Sequence, residues 1–243
     1  MICRMIKLAM YAGALGCGAL IAWGVNRPTV EGSGVTATEE RDIGDVSEVV
    51  LSGSGDVRIV PGDFPSVKVT ADDNILQHIS TETHGRKLQL QTTSSVSVRP
   101  KSKITYVVTL PQLEALTLSG AGNATAEKFV GDDLTVKVSG AGTATLRHLT
   151  YKSLTVELSG AGKALATGSA VRSKLKLSGA GGIDASELRT SSTEVQVSGA
   201  GQASVWATVD LKARVSGAGG VKYKGSPNVD QKVSGAGRVR PMD

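Results

Sequence analysis

The chain has 243 residues, with 27 basic and 22 acidic side chains and a formal net charge of +5. Aromatic residues make up 3% of it, and both cysteines, Cys3 and Cys17, lie near the amino terminus. This composition excludes a disulfide framework and a cysteine metal site in the rest of the chain, so stability must come from one apolar core.

Residues 1–24 have the pattern of a secretory signal. Arg4 and Lys7 precede an apolar run that ends at Trp23, and small residues near its end permit cleavage. The run is short for a membrane span, but an uncleaved anchor stays open, and Cys17 leaves a lipoprotein site as a further alternative. We therefore expect an exported protein of the periplasm or cell envelope, soluble after cleavage or anchored at its amino terminus.

The next segments are expected to be a linker, residues 25–45, and then a single domain, residues 46–240. Within the domain, residues 46–118 alternate apolar and polar side chains irregularly, as in Asp56–Val60 and Ile104–Leu110, which predicts opening strands. An atypical first part is expected, because the open end of a repeat array must be capped against edge-to-edge growth.

Residues 119–240 contain a regular repeat. The tetrapeptide Ser-Gly-Ala-Gly occurs seven times, with steps of 18 to 20 residues between copies. A near-constant period with a fixed turn sequence indicates a solenoid. The copies begin at Ser119, Ser139, Ser159, Ser178, Ser198, Ser216 and Ser234. A degenerate eighth copy, Ser52–Gly55, lies upstream.

The residues around each copy alternate between apolar and polar, as in Leu116-Thr117-Leu118, which predicts short strands with one buried face. Twenty residues at about 3.3 Å each give a perimeter near 65 Å, which three short strands would fill. The sequence therefore predicts an all-β fold, a parallel β-helix with rungs of 18–20 residues. A flexible Gly-Ser-Ala chain is the alternative, but it would leave the apolar alternation without a purpose.

The two glycines of each copy are expected to form a corner, because they permit a positive φ and a close backbone approach. The alanine between them is expected to point into a narrow interior, and the serines to form a ladder of hydroxyls. The corner glycines are Gly120, Gly122, Gly140, Gly142, Gly160, Gly162, Gly179, Gly181, Gly199, Gly201, Gly217, Gly219, Gly235 and Gly237.

Three stretches of the sequence, taken in chain order, resemble a bacterial domain family described as putative auto-transporter adhesin, head GIN domain. They are Leu51–Ile59, Val67–Leu76 and Tyr106–Gly122, and the resemblance extends over residues 46–238. It implies a β-solenoid in an exported envelope protein, with adhesion suggested by the family description. The family offers no catalytic residues to transfer.

Charge is distributed unevenly along the chain. Residues 28–75 hold ten acidic and three basic side chains, whereas residues 203–243 hold seven basic and three acidic ones. Stacked rungs would bring the basic residues together and form a patch for an anionic glycan, a lipid surface or an envelope protein. The alternative is that these charges solvate outer faces and block edge growth. The basic residues are Lys212, Arg214, Lys222, Lys224, Lys232, Arg238 and Arg240.

Two classes of function remain open on the sequence. A non-enzymatic envelope module is favoured. We expect no cofactor or metal, because the three histidines are scattered along the chain. Nucleic acid is not expected as a partner, because the chain is expected to be exported and has few aromatic residues. A glycan-active β-solenoid enzyme is the alternative from a different class, and a structural spacer is a third. The acids considered for catalysis are Glu127, Asp132, Asp133 and Glu157, and separately Asp184 and Glu187 with Arg189.

Overall fold

Parallel strands stacked in register form most of the computed structural model, which describes residues 27–242. Each corner lies over the next: Ser119 pairs with Ser139, and Ser139 with Ser159. The predicted parallel β-solenoid is therefore confirmed, and one turn of it is called a rung below. The proposed signal or anchor at residues 1–24, with Cys3 and Cys17, lies outside the described residues.

Residues 27–114, the amino-terminal part of the described chain, contain nine strands and one short helix. Their bounds are β1 (Thr29–Glu31), β2 (Thr36–Asp42), β3 (Glu48–Gly53), β4 (Asp56–Pro61), β5 (Ser66–Asp72), α1 (Asp73–Leu76), β6 (Ile79–His84), β7 (Lys87–Thr92), β8 (Ser97–Arg99) and β9 (Thr105–Leu110). The degenerate corner in β3 pairs in register with the first regular corner, so Ser52 lies beside Ser119. The eighth copy seen in the sequence is thus a true rung.

The regular part consists of strands that bend around the solenoid. Their bounds are β10 (Ala115–Gly120), β11 (Asn123–Glu127), β12 (Val130–Gly140), β13 (Thr143–Gly160), β14 (Lys163–Gly179), β15 (Gly182–Gly199), β16 (Gln202–Gly217), β17 (Gly220–Lys224), β18 (Asn228–Ser234) and β19 (Arg238–Pro241). All pairings among them are parallel.

The interior is a continuous column of apolar side chains. Leu116, Val136 and Val156 are fully buried and stack directly on one another across the rungs. Phe129 and Leu149 close the third side at 1% exposure each. Like residues in register fill the core because each rung presents the same shape to the next.

The corners differ from the expectation in one respect. The corner alanines, such as Ala161, point outward and are exposed, whereas the second glycine, such as Gly162, is buried. The first glycine adopts a positive φ, 112° at Gly160, and this bend shifts the inward and outward phase of the strand. A Cβ on Gly162 would lie 2.6 Å from the carbonyl oxygen of Gly142 in the previous rung. Close backbone stacking therefore requires glycine there, and the prediction of an inward alanine was wrong.

The corner serines lie in register on the outer surface, as expected for a ladder. Within the described range, however, none of these hydroxyls hydrogen-bonds to another, because their side chains extend into solvent. The ladder is therefore a consequence of corner stacking and adds no chain of hydroxyl bonds.

The segment expected to be a linker, residues 25–45, instead contains β1 and β2. β2 runs antiparallel to β5 over seven residue pairs, and β1 pairs with β8. The sequence of β2, Thr36–Asp42, is almost wholly polar and shows no buried face, so only the non-local pairing with β5 makes this segment a strand. Within residues 27–242, no helix is long and apolar enough to cross a membrane.

The two ends of the solenoid are built differently. At the amino-terminal end, β5 pairs antiparallel with β9 and β6 antiparallel with β7, and α1 buries Ile75 and Leu76. At the carboxyl-terminal end, β18 and β19 continue the parallel stack, and Val233 is 41% exposed. The first end is capped, and the second presents its last rung to solvent.

Candidate functional site

The seven basic residues of the carboxyl-terminal rungs are divided between two faces. The corner Ser216–Gly219 separates β16 from β17, and the next corner separates β18 from β19. One group, Lys212, Arg214 and Lys232, lies on β16 and β18. The other group, Lys222, Lys224, Arg238 and Arg240, lies on β17 and β19. The structure therefore does not bring all seven cations into one patch.

The first group is partly neutralised by acids. Arg214 makes a bidentate ion pair with Asp230, with Nη2 to Oδ2 at 2.6 Å and Nη1 to Oδ1 at 3.0 Å. The hydrogen bonds from Arg214 lower the pKa of the Asp230 carboxyl, and the same pairing raises the pKa of Arg214. This pair ties β16 to β18, so we assign it a role in holding the last rung.

Three residues of the second group line a concavity, called the basic hollow here, with a volume of about 230 Å³. Lys222, Arg238 and Arg240 line it together with Gln202, Ala236 and residues 218–221. Gly220 lies in register between Gln202 and Arg238. Because it has no side chain, the backbone forms the floor of the hollow at this position. Lys222 and Arg240 are direct neighbours across β17 and β19.

The cations of the basic hollow lack acidic partners in the part of the chain that the structure describes. None of Lys222, Arg238 and Arg240 lies within ion-pair distance of a carboxylate there, whereas Lys137, Lys152 and Lys176 in earlier rungs all pair with acids. Adjacent cations without counter-charges repel one another and raise the local positive potential. The hollow is thus arranged to attract an anion.

Lys224 is held by an aromatic contact that the sequence reasoning missed. Its Nζ lies 4.3 Å from the centre of the Trp206 ring, in the geometry of a cation–π interaction. The two residues are register partners in β16 and β17. Their separation of one rung was a signal available in the sequence, because residues one period apart stack in a solenoid. Lys224 therefore packs on Trp206, two residues along β17 from Lys222, and does not line the hollow.

The acids considered for catalysis are dispersed or already paired. Glu157 accepts a hydrogen bond from Lys176 at 2.8 Å, which lowers its pKa, and Asp132 pairs with Lys152 at 2.7 Å. Asp184 accepts from its neighbour Ser186 instead of facing Glu187. No group of three or more potential metal ligands occurs among residues 27–242.

A second concavity, of about 390 Å³, does bring acids together, and the sequence did not reveal it. Asp132 and Asp133 line it with Glu114 and Tyr151. Glu114 is held by Arg86 at 2.6 Å, and the Tyr151 hydroxyl donates to the Leu113 carbonyl at 2.8 Å. Burial raises the pKa of Tyr151 well above its usual range. Glu114 and Asp132 are both ion-paired and the Tyr151 hydroxyl donates to a carbonyl, which leaves Asp133 as the lining carboxylate without an ion pair among the described residues.

The fold and its basic end define a β-solenoid of a recognisable class. A family model described as putative auto-transporter adhesin, head GIN domain, matches residues 45–227. The chain therefore belongs to this family, as the sequence resemblance predicted. The family description indicates a surface or exported protein.

Solved structures with the same fold include a putative adhesin from Bacteroides fragilis. It is 25% identical with a TM-score of 0.84, and the alignment covers 88% of this chain and 100% of that chain. A putative adhesin from Parabacteroides distasonis is 25% identical with a TM-score of 0.72 over the same shares. A putative lipid binding protein from Parabacteroides distasonis, at 24% identity and a TM-score of 0.73 over the same shares, shows likeness of fold alone. Among curated proteins, none matches this chain.

Proposed function

We propose that the protein is an exported, non-enzymatic β-solenoid that binds an anionic glycan of the cell envelope through the basic hollow. The observation that carries the proposal is the convergence of Lys222, Arg238 and Arg240 on one polar concavity without acidic partners among the described residues. Arginine presents a planar set of donors that matches carboxylate and phosphate groups, and lysine adds a point charge.

The lining of the hollow favours a glycan over a lipid surface. Its accessible groups are cations, the Gln202 amide, backbone atoms and the small methyl groups of the corner alanines Ala218 and Ala236. None of the large exposed hydrophobic residues, such as Phe64 and Val130, lines it. Insertion into a membrane needs apolar side chains beside the cations, whereas a hydrated polyanion needs only charge and hydrogen-bond donors. An aromatic platform for stacking bases is also missing there, because Trp206 is covered by Lys224.

The proposal is tested by titrating the full chain with an anionic polysaccharide, polygalacturonate, and with vesicles of phosphatidylglycerol. We expect binding to the polysaccharide that weakens steeply as salt rises, because screening shortens to about 8 Å at physiological ionic strength. Changing Lys222, Lys224, Arg238 and Arg240 together to Ser should weaken it at least about tenfold.

The matched control removes the same number of charges elsewhere. Lys103, Lys137, Lys152 and Lys174 all pair with acids, so changing these four to Ser alters net charge equally without touching the hollow. Equal loss in both variants would show that only net charge matters and would contradict the proposal. Tighter binding to the vesicles would favour a lipid surface, and cleavage of the polysaccharide would favour the enzyme alternative.

Export is part of the proposal and has its own test. Cells producing the full chain should place it outside the cytoplasm, and deletion of residues 2–24 should retain it inside. A deletion variant that still leaves the cytoplasm would contradict this role of the amino-terminal segment.

A further inference from the structure

The open carboxyl-terminal end carries a second surface, distinct from the basic hollow. β18 pairs with β16 along one edge, and no described residue pairs with its other edge. A row of backbone N–H and C=O groups is therefore left for another strand. β19 is a poorer edge, since Pro241 has no N–H to donate.

Among the described residues, no further layer of side chains covers the inward side chains of β18 at this end of the solenoid. Val229, Gln231 and Val233 occupy the inward positions of the last rung, where Ala213 and Val215 of the rung below are buried beneath them. Val233 is nevertheless 41% exposed, because no further rung of the described chain lies over it. At the other end, α1 and the antiparallel strands already cover the core, so a head-to-tail contact would meet a closed surface.

The sequence of β18 is complementary to itself in the antiparallel direction. Aligned about Gln231, Asp230 of one copy lies opposite Lys232 of the second copy, and Val229 lies opposite Val233. Residues directly opposite in an antiparallel pair share a face of the sheet, so both charges meet outside and both valines meet inside. Asn228 then lies opposite Ser234, which completes the seven residues of the strand.

We propose that two copies of the chain associate tail to tail through β18, around a two-fold axis that passes beside Gln231. The contact is isologous, so each copy contributes the same strand and both ion pairs form together. It joins the two cores into one continuous stack and covers the valines of both last rungs. The cations of the basic hollow lie around the corner on β17 and β19, outside this strand pair.

Cross-linking tests the register. In the full chain with Cys3 and Cys17 changed to Ser, Gln231→Cys should form a disulfide-linked dimer, because opposite Cα atoms in an antiparallel pair lie about 4.5–5.5 Å apart. Gln196→Cys is the matched control: it is an exposed glutamine on β15, a strand with partners on both edges. It should remain monomeric under the same oxidation.

A charge exchange tests the pairing independently of cysteine chemistry. Lys232→Asp places two acids opposite each other and should weaken the dimer about tenfold in sedimentation equilibrium of the full chain in mild detergent. The fold should survive, because position 232 lies in register with Arg214, so the new acid lies beside a cation of its own chain. The double variant Asp230→Lys, Lys232→Asp exchanges the two charges of each intermolecular pair and should restore association. It removes the Arg214–Asp230 ion pair, but the acid then lies at position 232, in register with Arg214, and can pair with it instead.

Three results would overturn the proposal. They are a monomer at every concentration tested, a dimer that is indifferent to Lys232→Asp, and oligomers larger than a dimer. Cross-linking at position 231 without cross-linking at position 196, together with loss and rescue by the charge exchange, would support it.

Discussion

The two ends of this solenoid solve the same physical problem in opposite ways. A stack of parallel strands leaves unpaired backbone groups and uncovered core at each end. The amino-terminal end reverses strand direction at β5 and β6 and covers its core with Ile75 and Leu76 of α1. At the carboxyl-terminal end of the described residues, β18 and β19 continue the parallel stack without a reversal. The first end is acidic in sequence and the second is basic.

This difference separates a closed end from an end whose charges and strand edge are accessible. Asp72 at the capped end is fully buried and accepts N–H groups from Gly34, Lys101 and Ser102, at 2.8–3.2 Å. It thereby joins two loops to β5. At the open end, the cations of the basic hollow have no such partners among the described residues. The capped end is built for closure, and the open end keeps its charges and its strand edge available.

The largest expected effect distinguishes the two ends by their apolar residues. Ile75→Ala at the capped end removes a side chain that is 0% exposed and should lower the free energy of unfolding by about 2–5 kcal/mol. Val239→Ala at the open end removes a partly exposed side chain and should cost about 1 kcal/mol or less. Urea denaturation of the two variants measures both values. Equal losses would contradict the view that only one end is closed.

A smaller loss of unfolding free energy is expected from substitutions at the corners between strands. Gly162→Ala should cost about 1–3 kcal/mol, because the added methyl group meets the carbonyl oxygen of Gly142 in the rung below. Ala161→Leu, one residue earlier, should cost less than about 0.5 kcal/mol, since that side chain points to solvent. The reverse order in urea melts would show that the corner alanine faces the interior after all.

The corners also show how far the sequence can be interpreted. The period, the buried alternation and the eighth copy at Ser52 were all predictable, because like residues in register leave a repeated pattern. The facing of Ala161 was not, since it depends on the bend at Gly160, which resets the alternation. β2 was missed for a different reason: its polar sequence acquires strand structure only from pairing with β5.

The site divides in the same way. The basic residues were predictable as a set, and the predicted corners at Ser216 and Ser234 already separate them onto two faces, although the sequence analysis combined them in one patch. The partner of each cation was also hidden: Asp230 neutralises Arg214, and Trp206 holds Lys224. Two residues are neighbours in a solenoid when they lie in register on adjacent rungs. Their separation in sequence predicts this only where the length of that particular rung is known.

A pH-dependent effect is expected at the capped end. Burial raises the pKa of the Asp72 carboxyl, but hydrogen bonds from its N–H donors and from the Ser102 side chain outweigh this and bring the pKa below its ordinary value of 3.8. A lowered pKa stabilises the fold above the unfolded-state pKa, and this contribution is lost as pH falls through the folded-state value. The stability gap between the wild type and Asp72→Asn should therefore be widest at neutral pH and narrow below about pH 4. A gap that stays constant between pH 7 and pH 3 would contradict this assignment.

Hydrogen–deuterium exchange of the full chain, with and without polygalacturonate, tests most directly whether the open, basic end is the binding end. The ligand should slow exchange at the backbone amides of residues 218–222 and 236–240, which form the basic hollow, and leave β2, β5 and the middle rungs unchanged. Protection of the capped end, or protection spread evenly along the faces of the middle rungs, would contradict the account.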